Sequence, residues 1–134
     1  MIHKLNLKTS SRTDFIEITS QVREIVKESG VESGLCLVYV PHTTAGVMIN
    51  EHADPDVVDD IAARLEAMVP WRGDYKHAEG NSAAHIKAAL IGASATVIIQ
   101  YGELALGAWQ GIFFGEFDGP RSRGVLVKII ADKA

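Results

Sequence analysis

Residues 96–131, TVIIQYGELALGAWQGIFFGEFDGPRSRGVLVKIIA, decide the fold class, because they hold three strand-like runs and no helical periodicity. Residues 96–100 and 125–131 are dense in β-branched side chains, and residues 105–117 read as a longer strand whose glycines mark bulges. Asp118-Gly119-Pro120 is turn chemistry between the last two runs. Strands that succeed one another without crossover helices pair antiparallel, since a parallel partner needs a long connection. The closing segment therefore predicts an α+β protein with mainly antiparallel strands.

Moving upstream, Asn81 or Ser82 can cap a helix that runs to about Leu90 and closes at Gly92. Asp54-Pro55 is a strong start for another helix, with Asp as N-cap and Pro at the first helical position. Val58, Ile61, Leu65 and Met68 trace its expected buried face, and Pro70 ends it. Residues 35–40 form a continuous apolar run, the pattern of a strand covered on both faces, and Val47, Met48 and Ile49 make a short strand after it. Near the N-terminus, Leu5 and Leu7 face Phe15, Ile16 and Ile18 across a polar turn, which predicts a hairpin. Thr19 is the candidate N-cap of a helix bearing Val22, Ile25 and Val26 on one face and stopping at Gly30. The expected order is ββαββααβββ, in one domain spanning residues 1–134.

A chain of 134 residues buries roughly two thirds of its unfolded surface and needs no metal or disulfide staple to fold. Apolar residues at 47% and charged residues at 22% are ordinary globular values, with no apolar run long enough for a membrane helix. The net charge of −4 argues against nucleic acid as a partner, because phosphate-backbone binding relies on clustered Lys and Arg releasing counterions. The lone Cys36 reads as a small buried hydrophobe in preference to a reactive thiol. No secretory signal is visible in MIHKLNLKTS, so a reduced, cytoplasmic setting is expected.

Proton carriers and ligands concentrate in residues 74–87, DYKHAEGNSAAHIK. His77 and His85 can reach one metal or substrate, with Glu79 nearby, if the loop folds back over the helix start. The helix N–H groups near Asn81 would then receive an anionic group. The plainer alternative makes His85 a helix residue covering a neighbour. His42 sits at a strand end beside Thr43 and Thr44, whose hydroxyls can bind phosphate or orient the imidazole, or it is simply a turn histidine. Asn50, Glu51, His52 and Asp54 surround the start of the second helix, where Asp54 reads first as a cap. Asp59 belongs either to a solvated acidic face or, with Asp54, to a divalent-cation site. Trp109 fits a core or a subunit interface better than a cofactor platform, and Gln110 faces a site or pairs across a sheet. Arg121 or Arg123 can grip a phosphate, with a surface salt bridge as the alternative. The glycines form no phosphate-binding loop, which disfavours Rossmann and P-loop folds.

His-Thr-Thr-Ala-Gly at 42–46, Asn-Glu-His-Ala-Asp-Pro at 50–55, the 74–87 stretch and Gly-Ala-Trp-Gln-Gly-Ile at 107–112 together resemble the YjbQ-like family, described as secondary thiamine-phosphate synthase. The resemblance implies a mainly antiparallel two-sheet sandwich with about three helices, assembled as a homotrimer. It puts His42, Asn50, Asp54, Asp59, His77, Glu79, His85, Gln110 and Glu116 on family motif positions. The expected site has His42, His77, His85, Glu79 and Asp59 in catalytic roles, with Thr43, Asn50, Asp54, Asn81, Gln110, Glu116 and Arg121 contacting substrate. A divalent metal, zinc or magnesium, is expected on His42, His77 and His85. Ala108 departs from the family's usual threonine. The implied reaction joins an aminopyrimidine methyl diphosphate to a thiazole phosphate and releases pyrophosphate. A metal-dependent phosphoester hydrolase and a non-catalytic metal- or small-molecule-binding trimer are the alternatives, since both need the same polar, histidine-rich site.

Overall fold

The strand-rich close of the chain is divided between two sheets. The structure, a computed structural model, describes residues 2–133. In chain order it contains β1 (Ile2–Lys8), β2 (Asp14–Glu17), α1 (Thr19–Ser29), β3 (Ser33–Tyr39), β4 (Ala45–Glu51), α2 (Pro55–Met68), α3 (Ser82–Ile91), β5 (Ser94–Gln100), β6 (Glu103–Leu104), β7 (Gln110–Glu116) and β8 (Ser122–Ala131). A five-stranded sheet runs β1-β8-β3-β5-β6 and a three-stranded sheet runs β2-β7-β4. Every ladder is antiparallel. The α+β class with two antiparallel sheets and three helices is as expected.

Period-two alternation turns Cys36 and Val38 of β3, Val97 and Ile99 of β5, and Val125 and Val127 of β8 toward Val47, Ile112 and Phe114 of the smaller sheet. Helix α1 adds Val22, Ile25 and Val26 to this core and ends at Gly30, whose φ of 69° is the left-handed cap a glycine adopts freely. β7 is buried from Gly111 to Glu116, so the small sheet is covered on both faces. A second cluster of Ala84, Ala88 and Phe117, with Phe15, Leu65, Trp71 and Ile91 against it, joins α3 and α2 to that sheet. Gly46 lets α3 approach β4: a Cβ there would lie 2.5 Å from the Gly92 carbonyl oxygen, which accepts from the Val47 N–H at 3.0 Å. Burial pushes the Cys36 thiol up to about 11, in keeping with a buried hydrophobe. No helix among the described residues is long and apolar enough to cross a membrane.

Five expectations change. The N-terminal strands form no hairpin: β1 pairs with β8, Leu5 opposite Val125, while β2 pairs with β7, Ile16 opposite Phe114. Their alternation specified a buried face, and long-range apolar partners decided which face it met. The 105–117 run is broken into the short β6 and the longer β7, with residues 105–109 crossing from one sheet to the other. β3 is covered on one face alone, leaving Leu35 and Tyr39 exposed at 41% and 44%. The expected buried face of α2 is half-buried at best, with Met68 exposed. Thr19 lies inside α1 behind an N-cap at Ile18. Its hydroxyl donates to Glu17 at 2.8 Å and accepts from the Ile112 N–H at 2.8 Å, tying the helix to β7.

Candidate functional site

The loop between α2 and α3 is anchored by Trp71, packed against the Phe117 cluster and stacked under Arg12, and is braced by its own backbone and one phenol. The Tyr75 hydroxyl donates to the Pro70 carbonyl at 2.6 Å, and the Gly80 N–H, at a φ of 77°, donates to the His77 carbonyl at 3.2 Å. These contacts fold the loop back over the first turn of α3. The imidazoles of His77 and His85 meet edge to face, with centroids 5.4 Å apart and planes at 87°. They share an open groove of about 580 Å³ with Asp74, Tyr75, Lys76, Ser82 and Ile86. His77 is exposed and His85 half-buried. Two adjoining imidazoles at a helix start can hand protons to a bound molecule or hydrogen-bond an anion.

Asn81 occupies the N-cap position of α3 without capping through its side chain. Its Nδ2 donates to Asp118 Oδ2 at 2.9 Å, and its buried Oδ1 has no protein partner, the one such side-chain atom among the described residues. Glu79 is exposed on the loop and is not among the groove's lining residues.

His42 lines a different groove, also about 580 Å³, with Lys4, Asn6, Leu7, Lys8, Ser122, Arg123 and Gly124. The β3–β8 register, Tyr39 opposite Leu126, continues to Gly124 opposite Pro41, which has no N–H to offer the ladder. The His42 ring takes over there: its Nε2 accepts from the Gly124 N–H at 3.0 Å. Burial first, and then the Arg123 charge, lower the His42 pKa below 6.5, so the ring is neutral at pH 7; Nε2 also lies 3.2 Å from the Gly124 carbonyl oxygen, and its role there follows the tautomer. Among the described residues no three His, Cys, Asp or Glu side chains are grouped to hold one ion. The expected set of His42, His77 and His85 is therefore split within one chain.

Glu116 faces no groove. It is wholly buried, accepting from Arg123 Nε at 2.7 Å, the Thr9 hydroxyl at 2.9 Å and the Asp118 N–H at 3.0 Å. Burial alone would raise its pKa; the bonds from Arg123, Asp118 and Thr9 outweigh that and hold it below 4.5. Arg123 also donates to the Thr44 hydroxyl at 2.7 Å, which commits its fork to the interior. Arg121 is spent on Asp118, Nε to the carbonyl at 2.7 Å and a terminal nitrogen to Oδ2 at 3.0 Å. This is the surface salt bridge of the plainer reading.

The remaining expected residues lie elsewhere. Thr43 and Asn50 are exposed, and Asn50 Oδ1 accepts from the next residue's N–H at 2.8 Å. Asp54 caps α2 by accepting from the Asp56 N–H at 2.9 Å, and Asp59 is exposed on that helix. Gln110 Oε1 accepts from the Gly107 N–H at 2.9 Å, closing the loop that presents Trp109 to solvent at 66% exposure. Sequence reasoning missed Glu17, whose carboxylate pairs with His52 Nδ1 at 2.9 Å, and Lys87, buried to 1% exposure and paired with Glu66 at 2.5 Å. Nothing in the sequence links Glu17 to His52. Lys87 was readable from its helical spacing to the buried Ala83 and Ala84.

The UPF0047 protein YjbQ-like family matches residues 3–132. The chain is 50% identical over 133 residues to a UPF0047 protein of Methanocaldococcus jannaschii, covering 99% of this chain and 96% of that one. It is 48% identical over 131 residues to UPF0047 protein YugU of Bacillus subtilis, covering 97% and 99%. Among solved structures, an uncharacterised conserved protein of the YjbQ/UPF0047 family from Clostridium acetobutylicum superposes with a TM-score of 0.94 at 58% identity, covering 96% and 99%. A protein of unknown function from Sulfolobus solfataricus gives 0.95 at 32% identity, covering 98% and 97%. The chain belongs to the UPF0047 YjbQ-like family.

Proposed function

We propose that this YjbQ-like protein is a small-metabolite enzyme acting on a phosphorylated substrate in the cytoplasm. His77 and His85 form its reaction centre, and thiamine-phosphate synthesis is the reaction. The observation that carries the reading is the edge-to-face imidazole pair, 5.4 Å between centroids, in a groove at the start of α3. In the reaction the bond from the pyrimidine methylene carbon to the diphosphate oxygen breaks and a bond from that carbon to the thiazole nitrogen forms. Pyrophosphate leaves with the electron pair of the broken bond. In this reading His77, His85 and the helix N–H groups hydrogen-bond the departing anion, where charge develops in the transition state. Asn81, with its Oδ1 buried, is not among the groove's lining residues and stands behind the helix start, away from the substrate. A zinc or magnesium ion would neutralise diphosphate charge. His77 and His85 are the side chains that would hold one, yet among the described residues of one chain the donor set does not complete a site. The protein acts as a homotrimer in this reading.

The test is thiamine phosphate formation by purified protein and by His77→Ala and His85→Ala. General acid–base and hydrogen-bonding roles predict a loss of about 10²-fold or more in kcat/KM for each variant. Equal activity in all three removes the groove from the mechanism. Chelator-sensitive hydrolysis of phosphomonoesters, with no thiamine phosphate formed, points to the hydrolase instead.

A further inference from the structure

We infer that the second groove, on the outer face of the five-stranded sheet between Lys4 and Lys8, binds a small molecule through a diphosphate or similarly extended phosphate anion. Lys4, Asn6 and Lys8 alternate onto the outer face of β1 while Leu5 and Leu7 pack inward. Opposite Asn6 stands Gly124, and a Cβ there would lie 2.8 Å from Lys4 Cε. The missing side chain leaves room for the Lys4 stem, which lies across Gly124 in the direction of Lys8. His42 closes one wall, fixed by the Gly124 N–H, and the Ser122 residue opposite Lys8 borders the other end. The groove, about 580 Å³, is of ligand-pocket size.

Charge selects the ligand. The chain carries 17 acidic against 13 basic residues, yet no carboxylate lines this groove. Among the described residues neither Lys4 nor Lys8 has an ion-pair partner, whereas Arg121 and Arg123, the expected phosphate ligands, are both committed to carboxylates. Two lysines four positions apart on a strand have Cα atoms about 13 Å apart. Their flexible stems can converge on the two ends of a diphosphate, which a single phosphate does not span. Two cations are too few to hold a nucleic-acid backbone, which favours a small soluble anion. Binding here is independent of the reaction proposed at His77 and His85.

Calorimetric titration with sodium pyrophosphate and with inorganic phosphate at low ionic strength tests the site. The native protein should bind pyrophosphate more tightly than phosphate. Titrated in a His77→Ala/His85→Ala background, which removes the pyrophosphate contacts proposed at the other groove, the exposed edge-strand change Lys4→Gln/Lys8→Gln should lower affinity at least tenfold with an unchanged circular dichroism spectrum. Amide chemical shifts of Ser122 and Gly124 should move during the titration. Undetectable binding to the native protein, or equal binding with and without the lysine change in that background, overturns the inference. So does co-sedimentation with anionic phospholipid vesicles in the absence of a pyrophosphate response, since the occupant would then be a lipid surface.

Discussion

His42 shows how a single residue can serve the ladder and a groove at once. Its Nε2 sits 3.0 Å from the Gly124 nitrogen and 3.2 Å from the Gly124 carbonyl oxygen, and burial and then the Arg123 charge favour the neutral ring by lowering its pKa below 6.5. A base with a lowered folded pKa binds its proton more readily in the unfolded chain. Stability from this group is therefore fully present above pH 6.5 and is lost as pH falls from there toward the folded pKa. His42→Gln preserves an acceptor that does not titrate. The Tm of native protein should fall more steeply than that of His42→Gln between about pH 6.5 and 5, with the two slopes equal above pH 7; parallel profiles throughout would sink the assignment. The strand-end position of His42 was legible in the sequence, because an apolar run stops at Pro41. Its Gly124 partner was not, since the contact spans 82 positions. The same holds for Glu116 and Arg123: both were recognisable as charges near a turn, but their burial depends on Thr9 and Thr44 arriving from remote segments.

Among elements, α3 is where local reading worked best. Asn81 at the N-cap position, Gly92 at the end and His85 near the start were all legible from residue type, although the Asn81 side chain turns to Asp118 in place of capping. The docking of α3 was not, as it depends on the Gly46 backbone of β4 coming within reach of Gly92. Gly46→Val puts side-chain atoms where the Gly92 carbonyl oxygen stands, 2.5 Å from the ideal Cβ. Overpacking of this kind costs about 1–3 kcal/mol, measurable by urea unfolding. A variant as stable as the native protein would show that α3 can shift freely on the sheet. Strand pairing was the least legible level. Period two gives each strand a buried face, but β1, β2 and β7 found partners through contacts dozens of residues away.

At the scale of the whole molecule, the continuous apolar run at 35–40 carries information that one chain leaves unused. Such a run marks a strand covered on both faces. Within the chain β3 is covered on its inner face alone, and Leu35, directly opposite Ile98 on one side and Ile130 on the other, sits in an outward patch with exposures of 41%, 60% and 46%. Tyr39 extends the patch along the strand. Apolar residues adjoining across central strands are the kind of contiguous surface that monomers rarely leave in water. Further copies of the chain, as in the proposed trimer, would supply the second cover. Light scattering coupled to size exclusion should give three times the chain mass for the native protein. Ile98→Asp places a charge in the middle of the patch, where burial without a partner is costly, and should shift the mass toward one chain while circular dichroism stays unchanged. A native monomer, or a variant that remains fully trimeric, would show that this face is not the interface and that the 35–40 run owes its composition to something other than assembly.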